Sequence, residues 1–213
     1  MATRNNSFQK SGKKDDLSKL KEQLKSKTPA NFYLFTGEEA FLIDYYVGKL
    51  KETIIGDAVT GLNLAIFENR FDIDDLLDAC DTYPIMAEKR LVIVKNSGFF
   101  YSANKKKTNT ERKAGEDSGE LGARDDAPVG NRSQEALNDY IREIPETTCL
   151  VFIENKVDKR LRIYKQASKQ GLVLEFNRIK EGELARWVMK GMEAVGKQIS
   201  PEAAQYLVAI SET

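Results

Sequence analysis

Short apolar runs alternate with stretches of helical period from Asn31 to Phe176. Asn31–Thr36 (NFYLFT) closes on Gly37 and predicts a buried strand, and Leu62–Phe67, Arg90–Val94, Cys149–Ile153 and Gly171–Phe176 read the same way. Helical patterns fill the intervals. Glu38–Thr53 puts Phe41, Leu42, Tyr45, Tyr46 and Leu50 on one face. Ile73–Cys80 starts behind Asp72, with Asp74 and Asp75 where the helix dipole favours carboxylates. A helix capped by Ser133 runs to Ile144, and another spans Lys159–Gln170. Strands alternating with helices predict an α/β fold, a five-stranded parallel sheet with helices on both faces.

The pattern divides the chain. Residues 1–27 hold a polar, mobile segment and a short amphipathic helix at Leu17–Lys25, ended by Thr28-Pro29. Residues 28–177 carry the alternation, broken at about 96–132 by a stretch rich in Lys, Gly, Asn and Asp that predicts a mobile insertion. From residue 178 to 213 the pattern is purely helical. Leu184, Trp187, Val188 and Met192 share one face, and a second helix starts at Pro201 behind Ser200 as N-cap. That helical unit reads as unfinished at Thr213, so a longer parent is expected.

Charge and composition narrow the chemistry. Lys+Arg and Asp+Glu both number 33, so no basic excess exists to neutralise phosphates, and DNA contact is expected only through partners. The lysine cluster Lys105–Lys107 and Arg112 are followed by acidic residues and read as a solvated loop. There is no histidine, which removes Ser-His and Cys-His nucleophile pairs and histidine-bearing metal sites. Cys80 and Cys149 lie in apolar contexts as buried reduced thiols, which suits a cytoplasmic protein. No apolar run is long enough to span a membrane, and the start lacks the apolar core of a secretory signal.

Nucleotide chemistry is the obvious alternative for such a sheet, with phosphates on the amides that follow the first strand. The sequence there is Gly37-Glu38-Glu39-Ala40-Phe41-Leu42, two carboxylates with no Gly-Lys, which opposes triphosphate binding. A near-match to the phosphate loop, Gly191 to Lys197-Gln198, lacks the Ser/Thr and follows a helix, so Gly196 reads as a helix stop. Lys95-Asn96 follow the third strand where a nucleotidase would place acids. Glu154 and Asp158 form a carboxylate pair with no base or metal partner, and ion pairs with Lys156, Lys159 or Arg160 are expected instead. No catalytic residue, metal site or cofactor is implied.

The most informative segment is Asp81–Arg90, a connection between helix and strand that ought to be polar. It carries Tyr83, Pro84, Ile85 and Met86 in a row, rimmed by charge. The pattern leaves two readings open: a partner-binding wedge, or a loop tucked onto its own domain. Together with NFYLFTGEEAFLID, YPIMAEKRLVIVKN, CLVFIENKVDKR and GKQISPEAAQYLV, this segment resembles the delta subunit of the bacterial DNA polymerase III clamp loader from about Asn31 to Thr213. The long insertion departs from that family, and its C-terminal collar domain is absent. The resemblance implies an AAA+-like sheet domain with its nucleotide site lost, followed by a small all-helical lid. It implies a subunit without catalysis that binds the sliding clamp (the beta subunit) and opens its ring, beside ATPase and delta-prime subunits. The family's clamp wedge falls on Ile85 and Met86, flanked by Tyr83 and Pro84. The competing functions are an AAA+-type ATPase using Lys197 and a DNA-binding module.

Overall fold

The computed structural model describes residues 11–56, 61–101, 130–178 and 181–211, without the side chains of residues 11–15 and 181. The lysine cluster at residues 105–107 and Arg112 lie outside these. The chain forms two compact units, Met1–Phe176 and Asn177–Thr213.

The first unit is built on five parallel strands: β1 (Phe32–Gly37), β2 (Leu64–Glu68), β3 (Arg90–Lys95), β4 (Thr148–Glu154) and β5 (Leu172–Phe176). Their order across the sheet is β2-β3-β4-β1-β5, so β1 lies inside, between β4 and β5. Helices α1 (Ser11–Ser26), α2 (Ala40–Ile55), α3 (Ile73–Asp81), α4 (Asn131–Tyr140) and α5 (Arg162–Gln170) cover it. Because successive side chains in a strand point to opposite faces, the apolar run of β1 serves two cores at once. Tyr33 and Phe35 join Ile93, Val151 and Leu174 under Leu20 of α1 and Tyr46 and Leu50 of α2. Phe32 and Leu34 join Val92, Val94 and Phe152 under Leu76 of α3, Leu137 of α4 and Ile163 of α5. Both faces are therefore dry, and strands buried on two sides need no polar alternation.

Several boundaries differ from the sequence expectation. The N-terminal helix starts at Ser11, and Leu20 is fully buried, so this helix is part of the sheet unit's core. Phe41 and Tyr45 of α2 are exposed, while Ile43, Tyr46, Leu50 and Ile55 face the sheet. Phe99 and Phe100, expected at the start of the insertion, are buried, with both rings edge-on to Phe152. α4 begins at Asn131 behind Gly130, so Ser133 is inside the helix. α5 begins at Arg162, because Asp158 first closes a turn: its carboxylate accepts from the Arg160 N–H at 3.0 Å and its carbonyl from the Leu161 N–H at 3.1 Å.

The second unit contains α6 (Glu181–Ala194) and α7 (Pro201–Ile210), packed through Ala185, Ala204 and Val208. Ser200 caps α7 by accepting the Ala203 N–H at 3.2 Å. α6 ends in a Schellman turn: Gly196 (φ 71°) donates to the Glu193 carbonyl at 3.0 Å, and Lys197 donates to Met192 at 2.8 Å. Gly191–Lys197 is therefore a helix ending, without the strand that a phosphate loop requires.

Candidate functional site

A parallel sheet has two chemically different ends, and each holds one of the candidates. At the C-terminal end, the loop from β1 to α2 is where an anion would meet free amides. Here it is closed against β5. A Cβ on Gly37 (φ 125°) would stand 2.1 Å from the Phe176 carbonyl oxygen, so the two backbones touch. The Glu39 N–H donates to that same carbonyl at 3.1 Å, and the Ala40 N–H donates to Glu38 at 3.1 Å. Amides that would cradle a phosphate are already used, beside two carboxylates.

Glu154 and Asp158, near the same end, do not act as a pair. Glu154 is buried and accepts from the Ser97 N–H at 3.0 Å, from the Ser97 hydroxyl and from the Gly98 N–H at 3.3 Å. Burial pushes its carboxyl above the ordinary range, and these donors hold it back. It is bound to the loop after β3, not to Lys156, Lys159 or Arg160 as the sequence led us to expect. Asp158 is held by Arg160 at 2.8 Å, and that guanidinium draws its carboxyl down to about 2. Lys159 pairs instead with Glu175 at 2.8 Å. Among the described residues, no three His, Cys, Asp or Glu side chains converge as metal ligands.

The opposite end of the sheet carries the Asp81–Arg90 connection. Its two ends are pinned. Thr82 stops α3 by donating its N–H and its hydroxyl to the Asp78 carbonyl, at 3.0 and 2.7 Å. The Thr148 hydroxyl donates to the Cys80 carbonyl at 2.6 Å, and the Tyr140 hydroxyl donates to the Asp81 carboxylate at 2.6 Å. Beyond the loop, Lys89 donates to the Pro29 carbonyl at 3.2 Å and to the Asn31 side chain at 2.5 Å. Arg90 donates to the Leu62 carbonyl at 2.9 Å.

The centre is pinned as well. Asn63, fully buried just before β2, accepts the Ile85 N–H and donates to the Ile85 carbonyl, both at 2.7 Å. Met86 follows in the left-handed region (φ 54°), which an unbranched non-glycine residue enters only at some cost. With the backbone bonded inward, the side chains stay outside: Tyr83 is 79% exposed, Ile85 48% and Met86 91%. These side chains are therefore not tucked onto their own domain. Pro84 is half-buried between Tyr83 and Ile85. The arrangement is an apolar projection on a backbone bonded from beneath.

Two residues of this end escaped the sequence reading. Leu62 is 53% exposed and precedes Asn63, which adds an apolar side chain from a different segment. Asn63 interrupts the apolar run Leu62–Phe67, and an amide at the mouth of a buried strand was the available signal.

Residues 33–116 match the family model described as DNA polymerase III, delta subunit, a span that includes the whole projection. The DNA polymerase III subunit delta of Bacillus subtilis (strain 168) is 26% identical over 181 residues, which is 84% of this chain and 46% of that protein. The solved structure of the Bacillus subtilis DNA clamp loader delta protein superposes with a TM-score of 0.66 at 25% identity, covering 90% of this chain and 51% of that one. The chain is similar to the DNA polymerase III delta subunit. It spans about half the length of the delta subunits that it matches. Its fold is α/β and matches that delta protein: a parallel sheet with helices on both faces, followed in sequence by a small helical unit.

Proposed function

We propose that this delta-subunit relative works without catalysis, binding the sliding clamp and opening its ring for loading onto or unloading from DNA. The observation that carries the reading is the projecting loop, with Ile85 and Met86 exposed on a backbone bonded from beneath. Tyr83 and Pro84 flank the contact. A rigid apolar wedge stabilises whichever clamp state offers it a pocket, and shifts the ring by its differential affinity for a strained or open interface. The closed C-terminal end of the sheet supports the same reading, because Gly37 against Phe176 leaves no phosphate cradle. Energy for loading then comes from ATPase and delta-prime type partners, and DNA is met only through the assembled complex, in the cytoplasm. In this reading residues 28–177 are the AAA+-like domain and 178–213 the beginning of the lid.

The test is clamp binding and clamp unloading from nicked circular DNA, without nucleotide, by the parent and by Ile85→Ser/Met86→Ser. The parent binds and unloads, and the double variant does neither while keeping its circular dichroism. A well-folded parent that ignores the clamp overturns the proposal.

A further inference from the structure

We infer that Asn63 is a positioning residue: it presets the docking loop in its projecting shape, so that part of the loop's affinity resides in a side chain that never meets the partner. This rests on the docking reading for its functional half and on the geometry alone for its conformational half.

An exposed loop has no need of a buried clamp. Ile85 is half-exposed, and water would satisfy its N–H and carbonyl at little cost. Yet both groups turn inward to one fully buried amide, 22 residues away in sequence, each at 2.7 Å. The pair of bonds also fixes which end of the amide is oxygen, since Ile85 N–H needs an acceptor and its carbonyl a donor. Asn63 is itself anchored, because its own carbonyl accepts the Leu91 N–H at 2.8 Å at the mouth of β3. A two-point bond to one residue fixes that residue's peptide planes. The next residue, Met86, must then turn in the left-handed region to continue the chain, which aims its side chain outward. The same bonds hold Ile85 against the sheet end, so the two apolar side chains are delivered together.

Preorganisation of this kind acts on binding by removing an ordering cost that the complex would otherwise carry. Without Asn63 the loop samples other shapes, and affinity falls in proportion to the fraction that stays competent. A loss of roughly tenfold, equivalent to about 1.4 kcal/mol, is expected for Asn63→Ala. Asn63→Ser, whose hydroxyl can donate to the Ile85 carbonyl but leaves the Ile85 N–H without its acceptor, lies between parent and Asn63→Ala. In a Met86→Ala background the Asn63→Ala loss shrinks, since Asn63 acts through what the loop presents.

The experiment pairs native-state hydrogen exchange with binding to the purified sliding clamp. In the parent, the Ile85 N–H is protected although its residue is half-exposed, and Asn63→Ala or Asn63→Ser releases it while strand amides of β1 and β4 keep their protection. Clamp affinity falls in the order parent, Asn63→Ser, Asn63→Ala. An unprotected Ile85 N–H in the parent overturns the inference before any variant is made. Full clamp affinity in either variant, with the Ile85 N–H released, overturns its functional half and leaves the docking reading standing. A parent that does not bind the clamp removes the docking reading, and Ile85 exchange still decides whether Asn63 sets the loop.

Discussion

Met86 and Ile85 differ in how much surface they still have to lose, and that difference makes the docking reading quantitative. Fully burying an Ile or Met side chain is worth about 1.5–3 kcal/mol. Met86 is 91% exposed, so entry into a dry pocket recovers nearly all of this, about 2 kcal/mol. Ile85 is 48% exposed and half of its gain is already spent inside the chain, which leaves about 1 kcal/mol. At about 1.4 kcal/mol per tenfold, Met86→Ser should weaken clamp binding roughly 30-fold, Ile85→Ser roughly fivefold and the pair at least about 100-fold.

The assay is equilibrium binding to an immobilised clamp ring at two ionic strengths, with thermal melting of each variant as control. Apolar docking predicts the same ranking at both, since screening acts on exposed charges. Met86→Asn separates the contact from the backbone. Asn tolerates φ 54° better than Met, so the unfolding free energy should hold or rise by up to about 1 kcal/mol while clamp affinity falls. A reversed ranking, with Ile85→Ser the more damaging, would refute the exposure argument. A double variant that binds within threefold of the parent, folded, would refute the docking site altogether.

Other consequences are independent of the clamp. Millimolar Mg-ATP should give no saturable heat and no shift in melting, because the Glu39 N–H is held by Phe176 and Glu38 and Glu39 line the approach; tight binding would revive the ATPase reading. Gly37→Ala should cost about 3 kcal/mol or prevent folding, since its Cβ would lie 2.1 Å from the Phe176 oxygen; a loss below about 1 kcal/mol in urea melts would contradict that packing. Burial pushes the Cys80 and Cys149 thiols up to about 12, whereas unfolded thiols ionise near about 8.5. The unfolded chain therefore sheds protons first as pH rises, and stability should fall by about 2–4 kcal/mol between pH 8 and 10; flat urea midpoints across that range would show the thiols are not buried.

What the sequence disclosed depended on whether neighbours in the chain or residues far away decided the outcome. The strand β1 was legible because a continuous apolar run between polar ends can only be buried on both sides. The Gly196 turn was legible because glycine, lysine and the preceding helix are local. The face of α2 was not: Phe41, Leu42, Ile43, Tyr45, Tyr46 and Val47 surround the helix, so period alone cannot choose which stripe meets the sheet, and packing on Phe176 and its neighbours chose Ile43, Tyr46 and Leu50. The order of the strands, with β1 between β4 and β5, likewise rests on long-range pairing that no local pattern encodes.

The loop shows both halves of this rule in ten residues. Its composition, Tyr83-Pro84-Ile85-Met86, was visible as an anomaly, but whether these side chains turn in or out was undetermined until Asn63 was seen to bond Ile85 from below. A loop that merely tolerated apolar residues would bury them or leave the backbone free, and it would have no cause to hold Met86 at a positive φ. Here the backbone is fixed by Asn63, Thr82 and Lys89 while Tyr83 and Met86 are left uncovered. The free chain carries the cost of exposing Met86 and Ile85 and of the left-handed residue, and under the docking proposal a partner that covers them offsets it. At the other end of the same sheet the reverse has happened, and the place where an anion would sit is filled by contact between Gly37 and Phe176. One end of the sheet thus holds an exposed apolar edge and the other a loop closed on β5, and the docking proposal uses the first.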